Sequence, residues 1–500
     1  MTLQAALYES YIQNNGRNAI ITDKYSISYK ELFERGNSIR VHLSNTLHFT
    51  NKIIPLLFVT SEHYIYGILG VLYSKNIFML LDATHPIEKL IDCILTLECD
   101  FLITDKNVSS HLIKIIRKIN VNILFIEDLL LARASSDMIC NFLDYHEEDA
   151  IYIYFTSGSM GKGKAVLGRN KSLLHFVKWE IKEFNTNVND IFAQMTSPAF
   201  DPYLRDIFTP LCSGAKIRLV NRNIALIPRL FGDFLNGSLI TYLHTTPLIL
   251  RSLLSYTFCK DHFKNLKYML IAGEVLSPEL VKDWYAKYSN HTTLVNLYGP
   301  TETTLAKVFA RVPSDFSDEI VPVGKPISDT KLYIMNDNAS LECGSGESGE
   351  VYIETEYMSH GYYNDKYNPS FCINHHQKRW YATGDLGYII KGNLFLVGRK
   401  DDQKKIGGVR IDLNEIKSTI LAYSKEKIEN CVVLHEGDLL IAFYIASAST
   451  SIDSKDMRSF LETRLLPIHI PHKFIRVNHF PLTVNGKLDK NQLLSYNDKH

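Results

Sequence analysis

The chain has 500 residues, of which 46% are hydrophobic and 22% charged, so it can bury a large core without disulfide or metal staples. Length alone suggests roughly two to four domains. Lys plus Arg and Asp plus Glu both number 54, a formal net charge of zero, which argues against a nucleic-acid partner, since such partners usually select a basic excess. The eight cysteines are scattered and none forms a C-x-x-C pair, which fits a reducing compartment. The first residues, MTLQAALYES, lack a basic segment followed by an apolar core, and apolar runs such as Ile65–Tyr73 are too short to span a bilayer. The expectation is a cytoplasmic protein with no membrane contact.

In chain order, Ile53–Val59, Ile77–Leu81, Phe101–Thr104, Asn122–Ile126 and Ile151–Thr156 read as buried strands. Helix-like stretches such as Glu62–Ser74 and Val108–Lys118 lie between them. The alternation continues through Lys216–Val220, Leu239–Leu243, Tyr268–Ala272 and Thr293–Leu297, which predicts crossover units and parallel sheets covered on both faces. Near Val312 short β-like pieces take over, among them Gly349–Glu354 and Asn393–Val397. After Arg399 comes a small α+β unit: a helix near Leu413–Tyr423, strands near Val432–Leu434 and Leu439–Tyr444, and a helix near Lys455–Leu465. The expected fold is α/β, with a large N-terminal domain over 1–398, whose parallel-rich sheets are flanked by helices. That domain carries a β-rich subdomain over 310–398, and a small mobile α+β lid domain spans 399–500.

The most informative segment is IYIYFTSGSMGKGKAVLG, residues 151–168. A strand-like run ends in glycines, hydroxyls and lysines, which can aim several N–H groups and a charge at one point, the chemistry of a phosphate cradle. A Gly/Ser-rich surface hairpin is the plainer alternative. Gly158 to Lys164 also satisfies G-x-x-x-x-G-K, but Ala165 replaces the Ser or Thr of a nucleotide P-loop and the chain after it looks extended rather than helical. A P-loop NTPase is rejected.

The segment instead resembles the phosphate loop of the acyl-adenylate-forming superfamily, with Met160, Gly163 and Ala165 departing from the usual residues. The resemblance assigns ATP to Thr156, Ser157, Gly158, Ser159, Gly161 and Lys164. Asn296-Leu-Tyr-Gly-Pro-Thr-Glu-Thr-Thr304 looks like the second signature: Asn296 at the adenine edge, Tyr298 stacked on the ring, Thr301 on phosphate, Glu302 on Mg²⁺. A flat aromatic suits a purine face, and phosphate-bound Mg²⁺ usually takes one or two carboxylates. Tyr381-Ala-Thr-Gly-Asp-Leu-Gly387 is the third, with Asp385 accepting from both ribose hydroxyls. The fourth runs from Gly398 to Ile416: Arg399 contacts the ribose, Asp401 is the hinge, Arg410 approaches ATP, and Gly407 and Gly408 line the path of an incoming thiol. The family usually has Arg where Gly407 stands. The fifth, Pro481 to Asp489, carries Lys487, implied to reach the reacting carboxylate and α-phosphate. The motifs span 151–489, and within the superfamily the chain is most similar to the amino-acid adenylation domains of nonribosomal peptide synthetases.

Phe200-Asp201-Pro-Tyr-Leu-Arg-Asp206 resembles the segment of those domains in which the Asp binds the substrate's α-ammonium. Capping of the next helix is the alternative role for Asp201. By the same resemblance the pocket comprises Asp201, Pro202, Arg205, His244, Leu270, Ala272, Gly273, Leu297, Leu305 and Ala306. A buried Arg needs an anionic partner: Asp206 within the protein, or a second substrate carboxylate. The expectation is a dicarboxylic amino acid held by Arg205 and His244.

The implied reaction has two halves, formation of aminoacyl-AMP from the amino acid and ATP with Mg²⁺, then transfer to a phosphopantetheine thiol after the lid rotates. Lys487 lies 13 residues from the last (500 − 487), and a carrier domain needs about 50 or more, so the carrier is expected to be a separate protein. The alternatives are an acyl-CoA ligase, an adenylating amide ligase, and a degenerate nucleotide-binding protein without activity.

Overall fold

The computed structural model describes residues 1–46, 50–131, 145–156, 163–288, 291–336, 341–365, 368–373, 378–400, 403–406, 409–424, 428–436, 439–446, 452–481 and 489–497. They form two compact units. The first comprises Met1–Ala83, Leu97–Phe155 and Ala165–Lys400, and the second Thr84–Thr96, Thr156–Lys164 and Asp401–His500. The division after Lys400 lies two residues from the expected 398/399 boundary. Two short stretches from early in the sequence also join the second unit. One reason is ionic: within that unit the helix Ile87–Thr96 carries Lys89, 3.6 Å from Glu415, and Glu88, 3.4 Å from Arg464.

The first unit is built on two large sheets. Seven strands run in the order Gly361–Tyr362, Lys164–Arg169, Ala150–Thr156, Ile77–Asp82, Ile53–Phe58, Phe101–Thr104, Asn122–Phe125. The pairings inward from Ala150–Thr156 to Asn122–Phe125 are parallel. Sequences such as IIPLLF and IFMLLD are apolar at successive positions because both faces of a parallel sheet are covered. After Lys164 the chain is a strand, not a helix, which is the geometry that excludes a P-loop NTPase.

The nine-stranded sheet has the order Lys325–Pro326, Val308–Val312, Thr293–Tyr298, Tyr268–Ile271, Tyr242–Thr245, Ile191–Gln194, Lys216–Leu219, Asn18–Ile21, Ser26–Ser28. Three neighbours at its centre concern the site: β1 (Tyr242–Thr245), β2 (Tyr268–Ile271) and β3 (Thr293–Tyr298), all parallel. Two helices face them, α1 (Asn170–Phe184) and α2 (Tyr203–Ser213). The strand expected at Leu239–Leu243 begins later, at Tyr242, because Leu239 adopts φ 53° and is exposed at the turn that ends a helix.

The β-rich stretch expected over 310–398 is not self-contained. Its five-stranded sheet joins Thr330–Met335, Gly349–Thr355, Arg379–Ile390, Phe371–Ile373 and Asn393–Arg399, but Lys325–Pro326 and Gly361–Tyr362 pair into the two larger sheets. The second unit holds the helix Leu413–Tyr423 and a three-stranded sheet of Ile428–Glu436, Leu439–Ala446 and Lys473–Arg476, packed around Ile416, Ile420 and Leu440.

One glycine marks where two strands of the seven-stranded sheet meet closely. A Cβ on Gly168 would lie 1.9 Å from the Tyr152 ring, which is itself buried. Gly168→Ala is therefore expected to cost about 1–3 kcal/mol of stability by overpacking, read as a lower thermal midpoint; an unchanged midpoint would show that the ring can move aside.

Candidate active site

The strand β3 ends in Tyr298, and the chain then turns tightly through Gly299: a Cβ there would meet the carbonyl of Leu305 at 2.2 Å. Two non-glycine residues in this loop, Thr304 and Leu305, take positive φ of 66° and 60°. Such backbone persists only where surrounding contacts hold it, and the buried Thr304 hydroxyl accepts from Tyr152 at 3.1 Å. The loop thereby holds Thr301, Glu302, Leu305 and Ala306 in place.

Around it, three of the predicted nucleotide residues of the first unit, Tyr298, Asp385 and Arg399, are joined by hydrogen bonds, and the others bond to neighbouring groups. Tyr298 donates to Asp385 Oδ2 at 2.6 Å, and Arg399 Nη1 donates to Asp385 Oδ1 at 2.5 Å. Burial, and then the Asp385 carboxylate, push the Tyr298 phenol far above its ordinary range, so it acts as a donor. Asn296 donates to the Pro322 carbonyl at 3.0 Å. Glu302 is 1% exposed; its Oε1 accepts from Tyr362 at 2.7 Å, and its carbonyl accepts from the Ser359 amide and hydroxyl. Thr301 donates to Asp201 Oδ1 at 2.9 Å. The helix α2 has Pro202 at its N-cap and no side-chain cap hydrogen bond.

Of the remaining expected pocket residues, Arg205 lies on α2 and His244, Leu270 and Leu297 on the three strands, while Ala272, Gly273, Leu305 and Ala306 lie in the loops that follow β2 and β3. Leu270, Leu297, Leu305 and Ala306 are buried, while Ala272 and Gly273 are partly exposed. Arg205 is 5% exposed, and its Nε has no hydrogen-bond partner among the described residues. Burial draws its pKa below the usual range against the pull of Asp206, Glu180 and Asp201. The hydroxyls of Tyr154, Tyr203 and Thr245 are likewise buried without such a partner. Native interiors contain few unsatisfied polar atoms, and each calls for an explanation such as a ligand.

His244 differs from the expectation. Its Nδ1 is 2.9 Å from Asp206 Oδ1 and its Nε2 is 3.0 Å from Glu180 Oε1. Both ring nitrogens are engaged by protein carboxylates, so His244 has no nitrogen left for a direct hydrogen bond to substrate. Burial opposes its charge, yet Glu180 and the two hydrogen bonds hold its pKa above the ordinary 6.5 despite Arg205. Glu180 was not singled out from the sequence, though a signal existed: it falls on the apolar stripe of α1 with Leu173, Phe176, Val177 and Phe184, all buried.

Of the other predicted residues, Thr156, Lys164 and Arg410 belong to the second unit. The Thr156 hydroxyl donates to the Lys164 carbonyl at 3.4 Å, and Arg410 lies in the strand Val409–Asp412. Ser157, Gly158, Ser159, Gly161, Asp401, Gly407, Gly408 and Lys487 lie outside the described residues. Among the described residues no group of three or more His, Cys, Asp or Glu could hold a metal ion, and no helix is long and apolar enough to cross a membrane.

Comparison with known proteins gives the family and the fold. A family model described as AMP-binding enzyme matches residues 8–363. The chain is 27% identical over 505 residues to zwittermicin A synthase ZmaJ of Bacillus cereus, covering 98% of this chain and 94% of that one. It is 28% identical over 488 residues to tyrocidine synthase 1 of Brevibacillus parabrevis, covering 95% of this chain but only 43% of that protein. Its fold matches the Vibrio cholerae adenylation domain AlmE, solved with glycyl-adenosine-5'-phosphate, at a TM-score of 0.83 and 21% identity, covering 99% and 98% of the two chains.

Proposed function

This chain belongs to the AMP-binding enzyme family and is an adenylating ligase; from that premise we propose that it activates an amino acid as its aminoacyl-AMP and passes the acyl group to the phosphopantetheine thiol of a carrier protein. The observation that most supports this reading is the 2.9 Å hydrogen bond from Thr301 to Asp201. The carboxylate read as the α-ammonium partner and the threonine read as a phosphate ligand are in contact, so one site can serve both reactants. An aminoacyl adenylate is also what the AlmE structure holds.

In the first half-reaction a substrate carboxylate attacks the α-phosphorus of ATP, forming one P–O bond and breaking the bond to pyrophosphate. Asp385 suits the ribose diol because each carboxylate oxygen has a further lone pair beyond the bond from Tyr298 or Arg399. Glu302 fits Mg²⁺, since a phosphate-bound Mg²⁺ needs only one or two carboxylates; when bound, the ion would neutralise phosphate charge. Lys487 stabilises the charge that builds at the reacting carboxylate and α-phosphate, and Arg410 supports ATP. In the second half the unit after the hinge at Asp401 rotates, withdrawing Lys487 and bringing Gly407 and Gly408 to the thiol path; the thiol gives up its proton and attacks the acyl carbon, a C–S bond forms, and the acyl–oxygen bond breaks to release AMP. The cysteines among the described residues are free, which fits a cytoplasmic setting.

For the side chain we read an acidic amino acid. A second carboxylate would answer the buried Arg205, while His244 contributes charge rather than a hydrogen bond, because its nitrogens are taken by Glu180 and Asp206. ATP–pyrophosphate exchange over a panel of amino acids tests both levels of the proposal. Glutamate, aspartate or a close relative is expected to give the highest rate. A clear preference for an aliphatic or aromatic amino acid would overturn the acidic reading, and no exchange with any amino acid would overturn the activity.

A further inference from the structure

A carboxylate on the core-facing stripe of a helix must be answered by donors or cations, and Glu180 of α1 is fully buried. Its Oε2 accepts from the Thr209 hydroxyl on α2, and its Oε1 faces His244 Nε2 at 3.0 Å. Across the ring, Nδ1 meets Asp206 Oδ1 at 2.9 Å, and Asp206 Oδ2 accepts from the Thr196 amide at 3.3 Å. An ionised carboxylate only accepts hydrogen bonds, so a ring held between two of them donates from both nitrogens, which makes it the imidazolium.

We propose that Glu180, which stands outside the substrate-lining set, is a positioning residue that determines side-chain specificity: with Asp206 it holds His244 as a double donor and so sets the charge of the floor on which Arg205 receives the substrate. The inference rests on the amino-acid-activating reading above. The charged groups that act on the ring are Glu180 from α1 and Asp206 and Arg205 from α2; on its own strand Tyr242 lies two residues before it and pairs with Tyr268 of β2. Phe192, from the strand Ile191–Gln194, adds an uncharged ring 5.9 Å away. With the ring charged, Glu180 and Asp206 balance Arg205 and the ring, while Asp201, which also acts on Arg205, is left for the substrate's α-ammonium, so this part of the floor is neutral. When the ring loses its proton the floor carries one net negative charge and disfavours an anionic side chain.

The wild-type ratio of kcat/KM for an acid over its amide, glutamate over glutamine or aspartate over asparagine, is therefore expected to fall as pH rises through the raised pKa of the ring. Glu180→Gln removes one negative charge. At a pH below both inflections or above both it should raise that ratio by roughly tenfold, and it should move the inflection to lower pH, because the imidazolium loses one of its two anionic partners. Thr209→Val, which keeps the carboxylate but frees it, should shift the profile in the same direction by less and covers the case in which Glu180→Gln does not fold. His244→Asn should abolish the inflection. NMR of ¹³C-labelled histidine, with the signal assigned by its loss in His244→Asn, reads the ring's titration without substrate.

A Glu180→Gln profile that superimposes on the wild type, or a variant that slows acid and amide equally, overturns the proposal. Should no amino acid support exchange, the activity reading is what fails. The ring titration then decides on Glu180 alone: a shift to lower pH supports its hold on His244, and an unchanged titration overturns it.

Discussion

Lys307→Met is expected to stabilise the protein by about 3–5 kcal/mol at neutral pH. Lys307 follows the pocket residue Ala306; it is 0% exposed, and its Nζ has no hydrogen-bond partner among the described residues. Burial first, and the nearby Arg169 cation second, lower its pKa from 10.5 to about 7. The folded pKa thus lies about 3.5 units below the unfolded one, and each unit corresponds to about 1.36 kcal/mol. Between about pH 7 and 10.5 the unfolded chain binds the extra proton, so stability rises with pH across that window; below about 7 the full penalty applies. Methionine keeps the apolar stem and removes the ammonium. Urea midpoints at pH 6.5 and 9.5 check this: a large gain at the lower pH that shrinks at the higher one is expected. No gain at pH 6.5, or a gain independent of pH, would mean that Lys307 has a partner or reaches water.

The second large effect is expected at Lys487. If this lysine supports the charge that develops as the carboxylate attacks the α-phosphorus, Lys487→Ala should cost adenylation about 3–4 kcal/mol, the range for removing one donor placed against a transition state. That is a fall of roughly 10²–10³ in ATP–pyrophosphate exchange. Thioester formation from supplied aminoacyl adenylate should lose much less, because in our proposal Lys487 has left the site by then. Exchange and single-turnover thioester assays on the same preparation give the comparison. Equal losses in both steps would overturn the division of labour between Lys487 and Gly407-Gly408.

Legibility in the sequence followed the range of each interaction. Buried parallel strands such as Ile53–Phe58 and Ile77–Asp82 were readable because solvent exclusion on both faces writes itself into consecutive residues. The strand Tyr242–Thr245 was read three residues early, since Leu239 and Ile240 look like strand residues and only the turn conformation at Leu239 excludes them. The β-rich segment was recognised by texture, but its division among three sheets was not, because partner choice depends on register with distant strands.

The same boundary runs through the site. Tyr298, Thr301 and Glu302 sit within one short motif, where the backbone itself brings them together, and such motifs in a fixed order sufficed to identify an adenylating chemistry from residues alone. The hydrogen bonding of the pocket floor was decided by tertiary structure. Arg205 and His244 looked like a pair of cations awaiting a substrate carboxylate. Yet His244 meets Asp206 across 38 residues and Glu180 across 64. No local pattern encodes a contact made by packing two helices against a strand, and it is that packing which engages both ring nitrogens of His244 with protein carboxylates.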